Sequence, residues 1–229
     1  MPRGPIAWVI AVLGAVDAFG LAGLGAVAGC GHPAGPAIDA PMGIPDLQFV
    51  AAEMTQSVLI TRSDFGPDAC EVVESCVGAP GGRTLLRFDT VSANRGTADL
   101  VVGVPPLPGE SNDVFEWSPC HMHHHVRNYA SYELLDATGT VVLTARKQSF
   151  CLEDDENIQP GVPPTGYSCT DQGITRGWAD VYSRYLPCQW IDITDVAAGT
   201  YTLRVVANPL RTLPESNYDN NTFTVLVHF

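Results

Sequence analysis

Residues 129–148 read YASYELLDATGTVVLTARKQ, and this stretch decides the fold. Two runs with alternating apolar positions, Tyr129–Asp136 and Thr140–Gln148, flank the turn signal Asp136-Ala137-Thr138-Gly139. Alternation with period two places every second side chain on one face of a strand. Two such runs joined by a short turn containing Asp and Gly predict an antiparallel hairpin. The same texture continues outward. It predicts strands at Leu47–Met54, Gln56–Thr61, Thr84–Val91, Asp99–Gly103, Cys120–Val126, Trp190–Asp192, Gly199–Val206 and Asn220–Val227. Only Asp68–Cys76 reads as a short helix, and Leu152–Gly177 reads as a long polar loop. Many short strands separated by Gly/Pro turns give an all-β class: a β-sandwich core with long irregular loops tied by disulfides.

Composition narrows the function. The chain has 229 residues, 45% of them hydrophobic and 16% charged, with a net charge of −13. That balance is globular, and it excludes a nucleic-acid partner because nothing neutralises phosphates. It favours cationic partners. Of the 12 basic residues all but Lys147 are arginines. Arg-rich codon usage accounts for such a skew, yet it leaves one lysine whose role is worth asking about.

The N-terminus reads as an export signal. Arg3 precedes an apolar run from Ile6 to Gly29, interrupted by Asp17 and ending Val27-Ala28-Gly29-Cys30. Small residues before a cysteine resemble the cleavage box of bacterial lipoproteins; a simple signal peptide and an uncleaved anchor are the other readings. The expected organisation is a lipoprotein-like signal peptide over residues 1–29, a flexible Gly/Pro/Ala-rich tether over 30–45, and one domain over 46–229. Of seven cysteines, six remain when Cys30 is set aside, and an even set in an exported chain reads as three disulfides of open connectivity. The chain is expected outside the cell or in its envelope, touching membrane only through a lipid or anchor at Cys30.

The sharpest local signal is Cys120-His121-Met122-His123-His124-His125. On a strand, His121, His123 and His125 share one face, with Met122 and His124 on the other. Neutral imidazoles suit copper, zinc, iron or nickel. On a regular strand the outer two Cα atoms lie about 13 Å apart, so convergence on one ion requires a bend or bulge. Three ligands with no fourth protein ligand leave positions open, as catalytic metals require.

Taken together, these runs resemble the catalytic domain of the lysyl oxidase family, in what is expected to be a bacterial member. The resemblance covers residues 46–229. Besides the histidine cluster it rests on Asn94-Arg95-Gly96-Thr97-Ala98-Asp99, on Lys147-Gln148-Ser149-Phe150-Cys151-Leu152-Glu153-Asp154, on Asp180-Val181-Tyr182, on Cys188-Gln189-Trp190-Ile191-Asp192, and on Pro214-Glu215-Ser216 through Asn220-Asn221. It implies copper on His121, His123 and His125, and a lysyl tyrosylquinone made from Lys147 and Tyr182. It implies calcium as a further ion, on Asp46, Leu47, Glu215, Asn217, Asn220 and Asn221. It also implies the disulfides Cys70–Cys120, Cys76–Cys188 and Cys151–Cys169.

The implied activity is oxidative deamination of primary amines, above all peptidyl lysine, to aldehydes with release of ammonia and H2O2. A quinone supplies the electron sink that unmodified side chains lack. Asp180 lies on the face of Tyr182 if the segment is extended, which makes it either the base that removes the α-proton or a structural carboxylate accepting backbone hydrogen bonds.

The chain departs from the family pattern in places. The animal members' disulfide between the positions of Asn157 and Trp178 is absent. His124 stands where a Tyr is usual and adds a competing ligand, Ser118 replaces a His, and Asn217 replaces an acid. The alternative reading is a non-catalytic, copper-holding Ig-like adhesion module, which Asn94-Arg95-Gly96-Thr97 also resembles.

Overall fold

The structure is a computed structural model that describes residues 43–145 and 150–229. The leader, Cys30, the tether up to residue 42, and Lys147 lie outside the described residues.

The described residues form fifteen strands and two short helices. In chain order these are β1 (Leu47–Phe49), α1 (Ala51–Ser57), β2 (Leu59–Phe65), α2 (Cys70–Val73), β3 (Gly81–Arg87), β4 (Thr90–Asn94), β5 (Leu100–Gly103) and β6 (Phe115–Ser118). They continue with β7 (His123–Val126), β8 (Ala130–Leu135), β9 (Val141–Thr144), β10 (Glu156–Asn157), β11 (Gln172–Ile174), β12 (Trp178–Tyr182), β13 (Trp190–Asp192), β14 (Thr200–Ala207) and β15 (Thr222–His228). The all-β class is observed.

Two four-stranded antiparallel sheets, β15-β14-β8-β9 and β1-β4-β12-β10, share one core. Leu134, Tyr132, Leu203, Val205 and Phe223 from the first sheet are buried in the same cluster as Leu47, Val91, Ala93 and Ala179 from the second. A hydrogen bond between the Thr90 and Tyr132 hydroxyls, 2.7 Å long, joins the sheets, and Gln189 donates to Thr90 Oγ1 at 2.8 Å. This satisfies polar groups that burial would otherwise penalise. The hairpin of residues 129–148 appears as β8 and β9. Its turn is closed by Asp136 N–H to the Thr140 carbonyl at 2.9 Å, with Gly139 at φ +81°. A smaller core of Phe65, Val77, Leu85 and Trp190 surrounds the Cys76–Cys188 disulfide.

Several elements differ from the sequence reading. The run Leu47–Met54 is a strand only to Phe49. Ala51-Ala52-Glu53-Met54 are good helix formers, and α1 turns Met54 fully into the core. The run Thr84–Val91 is two strands, because at Phe88-Asp89 the chain passes from the β13-β3-β2 sheet to the β1-β4-β12-β10 sheet, with Asp89 N–H held by Ser57 Oγ at 2.8 Å. The long loop contains β10 and β11. Strands β6 and β12 carry Trp and acidic residues that mask their alternation.

The N-terminal end of the domain is pinned to its C-terminal part. Leu47 N–H donates to Glu215 Oε2 at 2.8 Å, and Ser216 N–H donates to the Pro45 carbonyl at 2.9 Å. Gly96 permits the approach, since a Cβ there would collide with the Ile44 and Pro45 backbone.

Candidate metal and quinone centre

Strands β6 and β7 form a two-stranded hairpin in which Ser118 pairs with His123, Trp117 with His124 and Glu116 with His125. Cys120, His121 and Met122 are not on the strand. They form the turn, with Met122 in the left-handed region at φ +59° and its N–H on the Ser118 carbonyl at 2.8 Å. The turn supplies the bend that a regular strand lacks. His121 folds back over the pair His123 and His125, and one ring nitrogen from each of the three lies within 4.8 Å of the others. His123 Nε2 is 2.9 Å from His125 Nε2, and His121 Nδ1 is 3.4 Å from the same atom. A knot of three imidazole nitrogens is a donor set that suits copper, as well as zinc or nickel.

His124 points the other way, between Phe115 and Trp117, with Nε2 2.9 Å from the Glu110 carbonyl. The expectation that it competes for the metal is therefore corrected: the alternation of the strand removes it from the site.

The turn is braced from a distant segment. The Cys70–Cys120 disulfide brings α2 against it, so that Glu74 accepts the Ser118 hydroxyl and lies 3.5 Å from His121 Nε2. Sequence reasoning missed Glu74. The implied disulfide was the available signal, because Glu74 lies one helical turn beyond Cys70.

Tyr182 ends β12, opposite Thr90, and is half-buried. Phe150 packs edge-on against it, with ring centroids 4.4 Å apart. Burial, reinforced by Asp180, Glu153 and Glu74, pushes its phenol above the usual tyrosine range. Its proposed partner, Lys147, is outside the described residues.

Asp180 is 1% exposed. Its Oδ1 accepts the Glu153 backbone N–H at 3.1 Å, and its Oδ2 has no partner among the described residues. Burial first, then the neighbouring Asp155, holds its carboxyl well above the usual range. Glu153 itself is partly exposed, and burial together with Asp155 raises its carboxyl as well.

The six positions expected for calcium gather only in part. The Asn220 amide donates to both Asp46 oxygens at 3.3 and 3.1 Å, and Glu215 Oε1 accepts from Asn208 and Asn221 at 2.6 and 2.9 Å. The Oδ1 atoms of Asn220 and Asn221 are buried and have no hydrogen-bond partner among the described residues. Two orphaned amide oxygens beside two carboxylates fit a hard, oxygen-seeking cation. Asn217 is exposed, and its Oδ1 accepts Asp219 N–H at 3.0 Å in a local turn.

The three disulfides are Cys70–Cys120, Cys76–Cys188 and Cys151–Cys169. They are the pairs that the resemblance implied.

A family profile described as Lysyl oxidase matches residues 45–229. The chain is 36% identical over 204 residues to lysyl oxidase homolog 1 of Homo sapiens, covering 82% of this chain and 33% of the relative. It is 36% identical over 189 residues to lysyl oxidase homolog 2 of Homo sapiens and of Xenopus tropicalis, covering 77% of this chain and 23% and 24% of those relatives. The chain thus spans about a third or less of the length of these relatives.

Proposed function

Given that this chain belongs to the lysyl oxidase family, we propose that it is a copper- and quinone-dependent amine oxidase, converting primary amines, chiefly peptidyl-lysine side chains, to aldehydes with release of ammonia and H2O2. The observation that carries this reading is the convergence of His121, His123 and His125 to within 4.8 Å on a turn braced by Glu74, an acid that also bears on the Tyr182 phenol.

In this reading copper is held by the three imidazoles, and the lysyl tyrosylquinone formed from Lys147 and Tyr182 supplies the electron sink. The chain's own residues orient and shelter that chemistry. Phe150 fixes the plane of the Tyr182 ring by its edge-on contact. The neighbouring carboxyls Asp180 and Glu153 shape the proton environment of the ring, and the net charge of −13 draws protonated amines toward the domain. Calcium at Asp46, Glu215, Asn220 and Asn221, with Leu47 and Asn217 alongside, closes the two ends of the domain. The three disulfides support an exported location, since such bonds persist in oxidising compartments.

Peptide mass spectrometry on copper-loaded, aerobically expressed protein tests the reading, with Lys147→Ala as control. A Lys147–Tyr182 cross-link that vanishes in the control is expected. Separate, unmodified peptides at full copper occupancy overturn the reading and leave a metal-holding module.

A further inference from the structure

Removal of the α-proton of the substrate needs a base that reaches a carbon held at the Tyr182 ring. Three acids bear electrostatically on the Tyr182 phenol: Asp180, Glu153 and Glu74. Their commitments differ. Glu74 accepts the Ser118 hydroxyl and faces His121, on the histidine side. Asp180 is 1% exposed, and one of its oxygens already holds the Glu153 N–H. A substrate arriving from solvent does not reach it without parting β12 from the segment beside it.

The adjoining acids are also occupied. Asp154 accepts from Gly166 N, Tyr167 N, Thr175 N and Thr175 Oγ1, and Asp155 Oδ2 accepts from Val181 N at 2.8 Å. The Glu153 carboxylate alone has no hydrogen bond among the described residues, and it is partly open to solvent. Its backbone is fixed on both sides. Phe150, three residues before it, packs on the Tyr182 ring, and Leu152 N–H is held by Gln172 Oε1 at 3.1 Å, while Asp154 N–H, after it, donates to the Tyr167 carbonyl at 3.3 Å. One of its carboxylate oxygens lies within 4.8 Å of the Cys151 and Cys169 sulfurs, which give it an apolar wall.

We propose that Glu153 is the catalytic base of the amine oxidation, with Asp180 as the positioning residue that holds it by its backbone. This rests on the amine oxidase reading above. The Cα–H bond of the bound amine breaks, and its proton passes to a Glu153 oxygen. With the amine nitrogen condensed onto a quinone carbonyl, the C–H electron pair becomes the second Cα–N bond, and the pair that held nitrogen doubly to the quinone moves into the ring, reducing it by two electrons that O2 later removes as H2O2, with the nitrogen leaving as ammonia. Hydrolysis then gives the aldehyde, and Glu153 returns its proton to water. Burial and Asp155 raise the Glu153 carboxyl toward the range in which a base is effective near neutrality.

The test uses the full, copper-loaded, aerobically matured chain, with Glu153→Gln, Glu153→Asp and Asp180→Ala variants and benzylamine as the probe. Each protein is read for the Lys147–Tyr182 cross-link by mass spectrometry, for its carbonyl by phenylhydrazine titration, and for the anaerobic rate at which benzylamine bleaches its visible absorbance. Glu153→Gln is expected to keep the cross-link and the phenylhydrazine titre while bleaching slows about 100-fold or more. Glu153→Asp regains part of the rate, and Asp180→Ala, which removes the acceptor of the Glu153 N–H, loses rate without losing the titre. A Glu153→Gln rate within about threefold of the parent overturns the proposal. So does loss of the cross-link in that variant alone, which moves Glu153 into cofactor formation. A parent chain with neither cross-link nor titre overturns the amine oxidase reading itself, and with it the role of Glu153.

Discussion

Asn157 lies directly opposite Trp178 across the pairing of β10 with β12, and both side chains donate to one acceptor, the Val162 carbonyl, at 2.8 and 2.9 Å. These are the positions at which the family's animal members carry a disulfide. In this chain two hydrogen bonds to one backbone oxygen tie the same strands to the Gln159–Val162 turn.

A cysteine pair at these positions is expected to close. Directly opposed residues of an antiparallel pair have Cα atoms about 4.5–5.5 Å apart, within disulfide range. The loop enclosed is about 20 residues, for which the chain-entropy model gives about 3 kcal/mol. Loss of the Trp178 ring, which packs against the core, offsets part of that gain. The double variant Asn157→Cys/Trp178→Cys should therefore gain about 1–2 kcal/mol in urea unfolding, reversed by a reductant. Mass spectrometry that finds free thiols there contradicts the register.

The histidine turn makes a prediction in which one histidine is a control for the others. His125→Ala removes the nitrogen nearest both partners and should abolish stoichiometric copper binding. His124→Tyr should leave the copper stoichiometry unchanged, because that ring faces Trp117 and the Glu110 carbonyl. Metal analysis after dialysis decides between them, and loss of copper in His124→Tyr refutes the assignment of faces.

How far the sequence reaches is visible in this turn. The alternation of the strand correctly separated His123 and His125 from His124, because the pleat alone sets that. It misplaced His121, because the reversal at Met122 depends on a left-handed residue and on a disulfide to a helix 50 residues away. Glu74 and Glu153 were not singled out for the same reason. Their importance comes from what the fold brings beside them: Glu74 has no local pattern, and Glu153 stands in the Lys147–Asp154 run with nothing in that run to say what it faces. The helix α1 was misread because Leu47–Met54 is apolar on both periods, and the burial of Met54 decides it.

Calcium should stabilise the domain in proportion to its occupancy. A ligand that binds only the folded state adds RT ln(1 + [L]/Kd), about 2.7 kcal/mol at a hundredfold excess over Kd. Thermal unfolding is expected to shift upward with millimolar calcium and to return with a chelator. Asp46→Asn, which removes the carboxylate beside Asn220, should abolish the shift. An unchanged shift in that variant places the ion elsewhere.

The ion pair of Arg83 with Asp192 sets an acid limit on stability. Asp192 Oδ2 accepts from Arg83 Nε at 2.9 Å and Nη2 at 2.7 Å and from Gly78 N–H at 2.9 Å, while Oδ1 accepts from Thr194. Burial by itself would raise this carboxyl; Arg83, Thr194 and Gly78 outweigh it and hold the carboxyl below its ordinary value. A depressed folded value means that the stabilisation is complete above the unfolded value of about 3.9 and is lost as pH falls through the folded one. Asp192→Asn leaves the guanidinium with no carboxylate among the described residues but the exposed Asp195, 3.6 Å away, and should cost about 2–4 kcal/mol at neutral pH. That deficit should shrink as pH falls through the depressed folded value of Asp192, because the parent then loses the same charge. Urea midpoints of the two proteins measured between about pH 2 and 7 should therefore converge at the acid end, and a deficit that stays constant across the range would mean that the pair acts through packing and not through charge.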